Sequence, residues 1–337
     1  MPHAVQAVRA GGPDVFEVVE VPRPAPGPGQ LLVRVAAAGV NFIETYQRSG
    51  VYAVDYPFTP GAEAAGTVEE LGEGVEGFAV GDRVATTEGS ATYAEYTLLD
   101  ADKALPVPDD VPDDVAAALP LQGITAHYLV NSSYDVRPGD AVLTYAGAGG
   151  VGLLLIQLLK LRGATVITTT STPEKAELAR AAGADHVLSY ADVPARVREL
   201  TGGRGVDVVY DGIGKDTFDG SLAALRTRGT LVLFGGASGQ VPPFDLQRLN
   251  AHGSLTVTRP KVADFLLTPE ERRWRSSELF GLVAAGKLDV RIGGRYRLAD
   301  AGRAHADLES RATTGKLILV PGGPGPAAAD PGAAARA

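Results

Sequence analysis

Three glycines, Gly147, Gly149 and Gly152, have the G-x-G-x-x-G spacing of turns that bind the pyrophosphate of a dinucleotide. This chemistry needs a strand before the turn and a helix after it, because backbone N–H groups at the helix start face the phosphates. An apolar run over 141–145 predicts that strand, and another over 150–161 predicts the helix. A strand-to-helix turn without a ligand would show the same pattern, but the context favours a dinucleotide site.

A second match to the spacing, at Gly72, Gly74 and Gly77, lacks this context. With 42 glycines among 337 residues, the bare spacing arises easily by chance, so the neighbouring elements must decide. The residues that follow, 78–84, show no helical periodicity. We therefore predict a surface turn here.

The end of the next strand, predicted over 165–169, distinguishes the two nicotinamide cofactors. A free ribose 2′-hydroxyl usually meets an Asp or Glu there, whereas a 2′-phosphate needs hydrogen-bond donors and positive charge. The strand tip has no carboxylate; Ser171 and Thr172 offer hydroxyls, and Lys175 offers charge. Tyr190 is a further candidate wall for the adenosine. The pattern favours NADPH over NADH.

The same segment also has a purely structural interpretation. Ser171 and Glu174 have the spacing of a capping box at the start of a helix predicted over 173–182. The two interpretations are compatible, because a cap does not use the side chain of Lys175.

A group of polar and aromatic residues lies in a region otherwise poor in aromatics: Asn41, Thr45, Tyr46, Tyr52 and Tyr56. Tyrosine rings beside amide and hydroxyl groups can form a slot for a flat ligand that is apolar on its faces and polar at its rim. Partly buried core tyrosines would give the same pattern.

Two kinds of element must position these residues. Up to about Leu121 the chain reads as short strands between Gly, Pro and Asp clusters, which indicates a β-rich domain; the strands are predicted over 30–38, 66–71, 82–86 and 94–99. Beyond Leu121, strands alternate with helices, which predicts a parallel, doubly wound sheet and hence an α/β fold; further strands are predicted over 206–210 and 230–234, and further helices over 217–225 and 274–286. A last strand, 317–320, is expected to return to the β-rich domain.

The composition limits the chemistry further. The chain has no Cys, and its five His lack the spacing of a helical metal site, so we expect no metal. No G-x-S-x-G elbow and no P-loop is present. A net charge of −9 without a basic run opposes nucleic-acid binding. The sequence also shows no membrane span or secretion signal, so we expect a cytoplasmic protein.

Several runs of sequence resemble those of one family. They are NFIETYQRSG at 41–50, GAEAAGT at 61–67, LQGITA at 121–126, YAGAGGVG at 145–152, YDGIGKDTF at 210–218, SLTVTRP at 254–260 and ESRATTGK at 309–316. With these runs the chain resembles, over about residues 1–320, the bacterial NADPH:quinone oxidoreductases. These form part of the zinc-free, zeta-crystallin-like branch of the medium-chain dehydrogenase/reductase superfamily.

The resemblance implies a fold, a reaction and partners. It implies a GroES-like catalytic domain from residues 1–122 and 287–320, a Rossmann NADPH-binding domain from 123–286, and a homodimer. It also implies hydride or electron transfer from NADPH to a quinone in the cleft between the domains, without a metal. The zinc-dependent relatives have a Cys where this chain has Val40 and Asn41, and a His where it has Ala62. The Pro-, Gly- and Ala-rich tail, 321–337, is predicted to be disordered.

The resemblance also implies site residues. Asn41, Tyr46 and Tyr52 are the catalytic candidates that shape the quinone slot. The cofactor contacts fall on Phe42, Thr45, Tyr46, Thr125, Gly147, Gly149, Gly150, Val151, Ser171, Thr172, Lys175, Tyr190, Ile213, Phe234, Gly235, Ala237, Ser238, Gly239, Arg259, Pro260 and Arg311. Departures from the family pattern at Gln122 and Ala237 leave the quinone preference open. Two alternatives remain, an NADPH-dependent reductase of α,β-unsaturated carbonyls and a non-catalytic NADPH-binding protein.

Overall fold

The computed structural model describes residues 1–322, and these fall into two compact units. The first unit comprises Met1–Pro120 and the residues from Ile292 onward, and the second comprises Leu121–Arg291. The second unit is therefore one continuous stretch, whereas the first is built from two separate parts of the chain.

The N-terminal part of the first unit is rich in short strands, as predicted, but it also contains two helices. Its elements are β1 (His3–Ala7), β2 (Phe16–Glu20), β3 (Gln30–Val40), α1 (Phe42–Arg48), β4 (Ala64–Leu71), β5 (Arg83–Thr86), β6 (Tyr96–Asp100), β7 (Leu105–Pro106) and α2 (Asp113–Ala118).

The second unit alternates helices and strands along its length. Its elements are α3 (Pro120–Tyr128), β8 (Ala141–Thr144), α4 (Gly150–Leu161), β9 (Thr165–Thr169), α5 (Pro173–Ala181), β10 (His186–Leu188), α6 (Val193–Leu200), β11 (Val206–Asp211), α7 (Phe218–Ala224), β12 (Leu225–Leu233), α8 (Gln247–Ala251), β13 (Thr256–Thr258) and α9 (Pro269–Ala284). The chain then returns to the first unit with β14 (Ile292–Arg297), α10 (Ala301–Glu309) and β15 (Lys316–Val320).

The sheet of the second unit is parallel throughout, in the order β10-β9-β8-β11-β12-β13. Its central strands β8, β9 and β11 are buried on both faces, as a sheet covered by helices requires, and Leu143, Ile167, Val209 and Leu231 lie in one core cluster. The strand order reverses between β8 and β11, and ligands of such sheets bind at the carboxyl ends of the strands near this point. The predicted doubly wound α/β fold is confirmed.

The main sheet of the first unit has the order β14-β15-β3-β4-β5-β7, and β6 also pairs with β3. Strand β15 runs antiparallel to β3, with Leu317 opposite Val40. This pairing confirms that the last strand returns to the β-rich part. A buried cluster that includes Leu31, Val68 and Leu99 forms one core of this unit.

Local signals explain where the elements differ from the predictions. The helix predicted over 274–286 begins earlier, at Pro269, because the Thr268 hydroxyl accepts a hydrogen bond from the Glu271 N–H at 3.2 Å and caps the helix. The helix predicted over 217–225 ends at Ala224, because strand β12 begins at Leu225. Arg228, inside β12, has a left-handed backbone conformation (φ 60°).

The second glycine match forms a turn between β4 and β5, as predicted. Gly74 and Gly77 have φ values of 74° and 80°, and no atom lies within 4 Å of a Cβ placed at either residue. No helix within residues 1–322 has the length and apolar character needed to cross a membrane. Of the tail predicted to be disordered, 321–337, residues 323–337 lie outside the described residues.

Candidate functional site

The predicted dinucleotide turn joins β8 to α4, and close contacts leave no room for a side chain at two of its glycines. A Cβ at Gly147 would lie 2.3 Å from Thr168 Oγ1, and one at Gly152 would lie 2.3 Å from the Ala146 carbonyl oxygen. Gly149 is the N-cap of α4. The first amides of a helix have no acceptor within it, so the N–H groups that start α4 are suited to an anionic ligand. The chemistry of this cradle fits a dinucleotide pyrophosphate.

Helix α3, in the second unit, carries Gln122 and the candidate cofactor residue Thr125. The side chain of Gln122 lies over the start of α4, since a Cβ at Gly150 would fall 2.0 Å from its Oε1. Thr125 is half-buried, and its hydroxyl donates to the Leu121 carbonyl oxygen at 2.7 Å. Gln122 is therefore the residue of α3 that lies against the glycine turn.

The segment proposed for the 2′-phosphate lies between β9 and α5. Ser171 and Thr172 are exposed and Lys175 is half-buried. Thr172 is the N-cap of α5, and its hydroxyl accepts a hydrogen bond from the Lys175 N–H at 3.3 Å. The capping box proposed for Ser171 and Glu174 is therefore wrong, because the helix starts one residue later than that box requires.

Tyr190, the candidate wall for the adenosine, follows β10. Its ring stacks on Tyr145 with 6.2 Å between ring centroids and an interplanar angle of 19°. Tyr190 remains 42% exposed, so its outer face is open to a ligand.

A buried carboxylate organises the loop after β11. Asp211 is 0% exposed, and it accepts hydrogen bonds from the N–H groups of Ile213 and Gly214 at 2.8 and 3.0 Å. It also accepts from the hydroxyls of Thr217 and Ser221 at 2.8 and 2.7 Å. These bonds determine the backbone path that presents Ile213.

The loop after β12 is bonded directly to that backbone. The N–H and the hydroxyl of Ser238 both donate to the Ile213 carbonyl oxygen, at 2.8 and 2.9 Å, and the Ala237 N–H donates to the Gly212 carbonyl oxygen at 3.2 Å. Gly235 has no room for a side chain, since its Cβ would lie 2.4 Å from the Gly212 oxygen. The two loops gather six candidate cofactor residues: Ile213, Phe234, Gly235, Ala237, Ser238 and Gly239.

The candidate residues of this unit share one location. Most follow the carboxyl ends of strands β8, β9, β10, β11, β12 and β13, the last of which leads into Arg259 and Pro260. Because the strands are parallel, these ends lie at one edge of the sheet. The sequence-derived set in this unit is thus a spatial group.

The candidate quinone residues belong to the first unit, at the start of α1. The rings of Phe42 and Tyr46 lie 6.5 Å apart, and Tyr46 meets Tyr52 edge to face at 5.5 Å. Tyr52 is 46% exposed, whereas Thr45 is buried and donates to the Phe42 carbonyl oxygen at 2.8 Å. Tyr46 and Tyr52 present aromatic surface, and Thr45 supports the helix.

Tyr56 does not belong to this aromatic row. Its hydroxyl donates to the Gln47 carbonyl oxygen at 2.7 Å, near the end of α1, and its ring packs against Phe58. The proposed slot therefore lacks Tyr56.

Asn41, which precedes α1, is part of a buried hydrogen-bonded ring with Glu63 and Lys316. The Asn41 Nδ2 donates to Glu63 Oε2 at 3.0 Å. The Lys316 ammonium donates both to Asn41 Oδ1 and to Glu63 Oε2. A Cβ at Gly39 would lie 2.1 Å from Glu63 Oε2, so glycine at this position makes room for the ring.

Glu44 lies next to this ring and is 0% exposed. Its Oε2 accepts from the Asn41 N–H at 2.8 Å, and its Oε1 has no hydrogen-bond partner among residues 1–322. Burial raises the pKa of Glu44 to about 7, although the nearby Lys316 charge acts to lower it.

The end of α1 is anchored to α10 by buried polar groups. Arg48 donates to the Glu309 carboxylate at 2.8 and 3.1 Å and to His305 Nδ1 at 3.2 Å. Burial lowers the pKa of His305 to about 3, so the ring is neutral and its Nε2–H donates to the Tyr93 hydroxyl at 3.1 Å. Arg311, the remaining candidate of this unit, follows α10 in a left-handed conformation (φ 58°).

Comparisons with known proteins identify the family. Residues 27–109 match the alcohol dehydrogenase GroES-like domain, and residues 150–272 match the zinc-binding dehydrogenase model. A quinone oxidoreductase of Pseudomonas aeruginosa is 44% identical over 95% of this chain and 100% of its own length. The chain belongs to the quinone oxidoreductase family of the medium-chain dehydrogenase/reductase superfamily.

Two further relatives of this chain differ in the reaction that their names give. The structure of Escherichia coli quinone oxidoreductase complexed with NADPH matches with a TM-score of 0.92 at 41% identity, over 95% of this chain and 100% of that chain. A 2-haloacrylate reductase of Burkholderia is 43% identical over 93% of this chain and 97% of its length. The described part of the present chain contains no group of three His, Cys, Asp or Glu that could hold a metal ion.

Three residues that organise the site, Asp211, Glu63 and Lys316, were not predicted from the sequence. Asp211 has a recognisable signal, since it is an acidic residue at the carboxyl end of a buried strand. Glu63 and Lys316 lie inside two of the runs that carry the family resemblance. Nothing in the linear sequence showed that these two residues, 253 positions apart, form an ion pair.

Proposed function

We propose that the protein is an NADPH-dependent quinone reductase. The observation that carries the proposal is the glycine cradle of β8 and α4, which lies at the same sheet edge as the other candidate cofactor residues. The chemistry that the bound cofactor supplies is hydride donation from its nicotinamide. The NADPH complex of the E. coli relative supports the choice of cofactor.

The residues of the second unit have separable binding roles in this proposal. The amides that start α4 bind the pyrophosphate, and Ser171, Thr172 and Lys175 bind the 2′-phosphate. Tyr190 covers the adenine, and the loops held by Asp211 position the nicotinamide end.

The residues of the first unit orient the quinone. Asn41, Tyr46 and Tyr52 shape the slot, and the tyrosine hydroxyls donate hydrogen bonds to a quinone oxygen. A quinone accepts electrons readily, and its reduced oxygens can take protons from water, so the reaction does not require a strong acid from the protein.

The test is NADPH oxidation by the purified protein with a panel of quinones and α,β-unsaturated carbonyls. Quinone turnover is the expected result. Turnover of the unsaturated carbonyls alone would favour the second candidate, which the 43% identical 2-haloacrylate reductase supports. NADPH binding without any turnover would show a binding protein instead.

Lys175→Ala tests the choice of cofactor. A charge-assisted contact contributes about 1.5–3 kcal/mol, so the KM for NADPH should rise about tenfold to a hundredfold while the KM for NADH hardly changes. Steady-state kinetics with both cofactors provide the measurement, and Lys287→Ala, at an exposed lysine of the same unit, is the control. An equal loss with both cofactors would contradict the 2′-phosphate role.

Tyr46→Phe tests the nature of the slot. We expect unchanged NADPH binding and a decrease in quinone kcat of no more than about tenfold, because one neutral hydrogen bond contributes about 1 kcal/mol. Cofactor fluorescence titration and quinone kinetics measure the two properties. A complete loss of turnover with intact NADPH binding would show that the Tyr46 hydroxyl is an essential acid.

We further propose that the protein is a homodimer. Strand β13 lies at one end of the parallel sheet, where a second copy could pair with it. Leu246 and Leu267, on either side of β13 in the sequence, are 71% and 72% exposed. Light scattering should give twice the chain mass of 34.8 kDa, and a mass equal to one chain would contradict the proposal.

The proposed compartment is the cytoplasm, because the proposed cofactor is a soluble intracellular nucleotide. Cell fractionation followed by the NADPH-quinone assay tests this. Activity recovered only with membranes would contradict it.

A further inference from the structure

The side chains of Asn41, Glu63 and Lys316 form a ring of three mutual hydrogen bonds that is almost completely buried. Asn41 is 7% exposed, whereas Glu63 and Lys316 are 0% and 1% exposed. A charge buried to this extent needs a partner, and here the ammonium and the carboxylate are partners of each other. The amide of Asn41 bonds to both.

The chemistry of the two charged groups determines the orientation of the Asn41 amide. An ammonium has only donors and a carboxylate has only acceptors, so the amide oxygen must face Lys316 and the amide nitrogen must face Glu63. A flipped amide would place its N–H groups against the ammonium and its oxygen against the carboxylate.

In this orientation the Asn41 side chain can only donate a hydrogen bond to a ligand. Its Oδ1 is bonded to Lys316, and one of the two Nδ2 hydrogens is bonded to Glu63. The second Nδ2 hydrogen has no acceptor among residues 1–322. Toward a ligand, Asn41 can therefore act only as a donor.

We propose that Lys316 is a positioning residue that, together with Glu63, holds Asn41 as a fixed N–H donor for the carbonyl oxygen of the substrate. The inference rests on the proposed quinone reductase function. Negative charge grows on that oxygen as hydride reaches the ring, so a donor oriented in advance stabilises the transition state more than the ground state. Lys316 polarises the amide without contacting the substrate.

The strand pairing of the first unit brings Lys316 next to Asn41, although the two residues are far apart in the sequence. Asn41 immediately follows β3, Glu63 immediately precedes β4, and Lys316 is the first residue of β15. Strand β15 pairs with β3 and β3 pairs with β4, so the sheet itself delivers the three side chains to one place. Gly39, on β3, provides the space that the carboxylate and the lysine stem occupy.

The experiment is a double-mutant cycle between Lys316→Met and Asn41→Ala, measured as quinone kcat at saturating NADPH. Each single variant should lower kcat about ten- to a hundredfold, and the double variant should lose little more than either one. The dissociation constant of NADPH, from cofactor fluorescence, should stay unchanged. A purely structural role of Lys316 would give losses that multiply.

The experiment also includes a control variant and a replacement for Lys316→Met. Lys103→Met removes another lysine of the same unit, one that pairs with Asp100 near the surface, and should leave kcat unchanged. If Lys316→Met does not fold, the pair Lys316→Met with Glu63→Gln removes both buried charges and is used in the cycle instead.

The outcomes separate this inference from the function on which it rests. Unchanged kcat in the Lys316 variant, or multiplicative losses in the cycle, would overturn the positioning role while quinone reduction by the unmodified protein stands. Absence of quinone turnover in the unmodified protein would overturn both.

Discussion

Asp211→Ala is expected to lower the free energy of unfolding by about 3–5 kcal/mol, because it removes the shared acceptor of a buried hydrogen-bond network. The variant would leave two backbone amides and two hydroxyls without their acceptor in a buried position. Each unsatisfied buried donor costs about 1–3 kcal/mol, and partial access of water reduces the sum. Denaturant unfolding followed by circular dichroism provides the measurement.

Asp216→Ala is the matched control for this prediction. Asp216 is exposed in the same loop, and its substitution should change stability by no more than about 0.5 kcal/mol. The Asp211 variant should also bind NADPH less tightly, because the loop that carries Ile213 loses its anchor. Equal stabilities for the two variants would show that the loop does not depend on the buried carboxylate.

Glu44→Gln is expected to change how stability depends on pH. The pKa of Glu44 is raised from 4.5 to about 7, so the folded protein binds a proton that the unfolded chain releases. The stabilisation from the neutral acid is fully present below pH 4.5 and is lost as the pH rises to about 7. At about 1.4 kcal/mol per pKa unit, its full value is about 3 kcal/mol.

The variant isolates this contribution from that of other groups. Glutamine resembles the neutral acid at every pH, so the stability of Glu44→Gln minus that of the unmodified protein should increase by about 2–3 kcal/mol between pH 5 and 8. The charged and titratable neighbours Lys316, Glu63 and Tyr93 are the same in both proteins. Glu76→Gln, at an exposed position, should show no such trend. A pH-independent difference would contradict the protonated state of Glu44.

The second unit was predictable because its signals are local. The glycine turn, the strands around it and the helix after it lie within about thirty residues, and the periodicity of 150–161 gave the bounds of α4 correctly. The candidate cofactor residues follow strand ends, so a correct strand assignment also places them at one edge. The cap of α5 was misassigned by one residue, because Ser171 and Thr172 are both good caps and only the backbone distinguishes them.

The first unit was harder to predict because its contacts are distant in the sequence. Helix α1 has seven residues in a region of strands, too short for a helical pattern to stand out. Its last residue, Arg48, anchors it to His305 and Glu309, which lie more than 250 positions away in the sequence. The family resemblance supplied Asn41, but it could not show the Lys316 ammonium bonded to its amide.

The position of β15 in its sheet affects the order in which the protein can fold during synthesis. Strand β15 lies between β14 and β3, inside the sheet of the first unit. The ribosome therefore releases Met1–Pro120 long before the strand that completes their sheet, whereas the continuous second unit can fold in the meantime. Until β15 emerges, only residues 38–40 of β3 lack a partner strand on that edge, since residues 30–34 pair with β6, and Glu63 lacks the Lys316 ammonium. Nascent chains that end before Lys316 should accordingly be the species most in need of protection from aggregation.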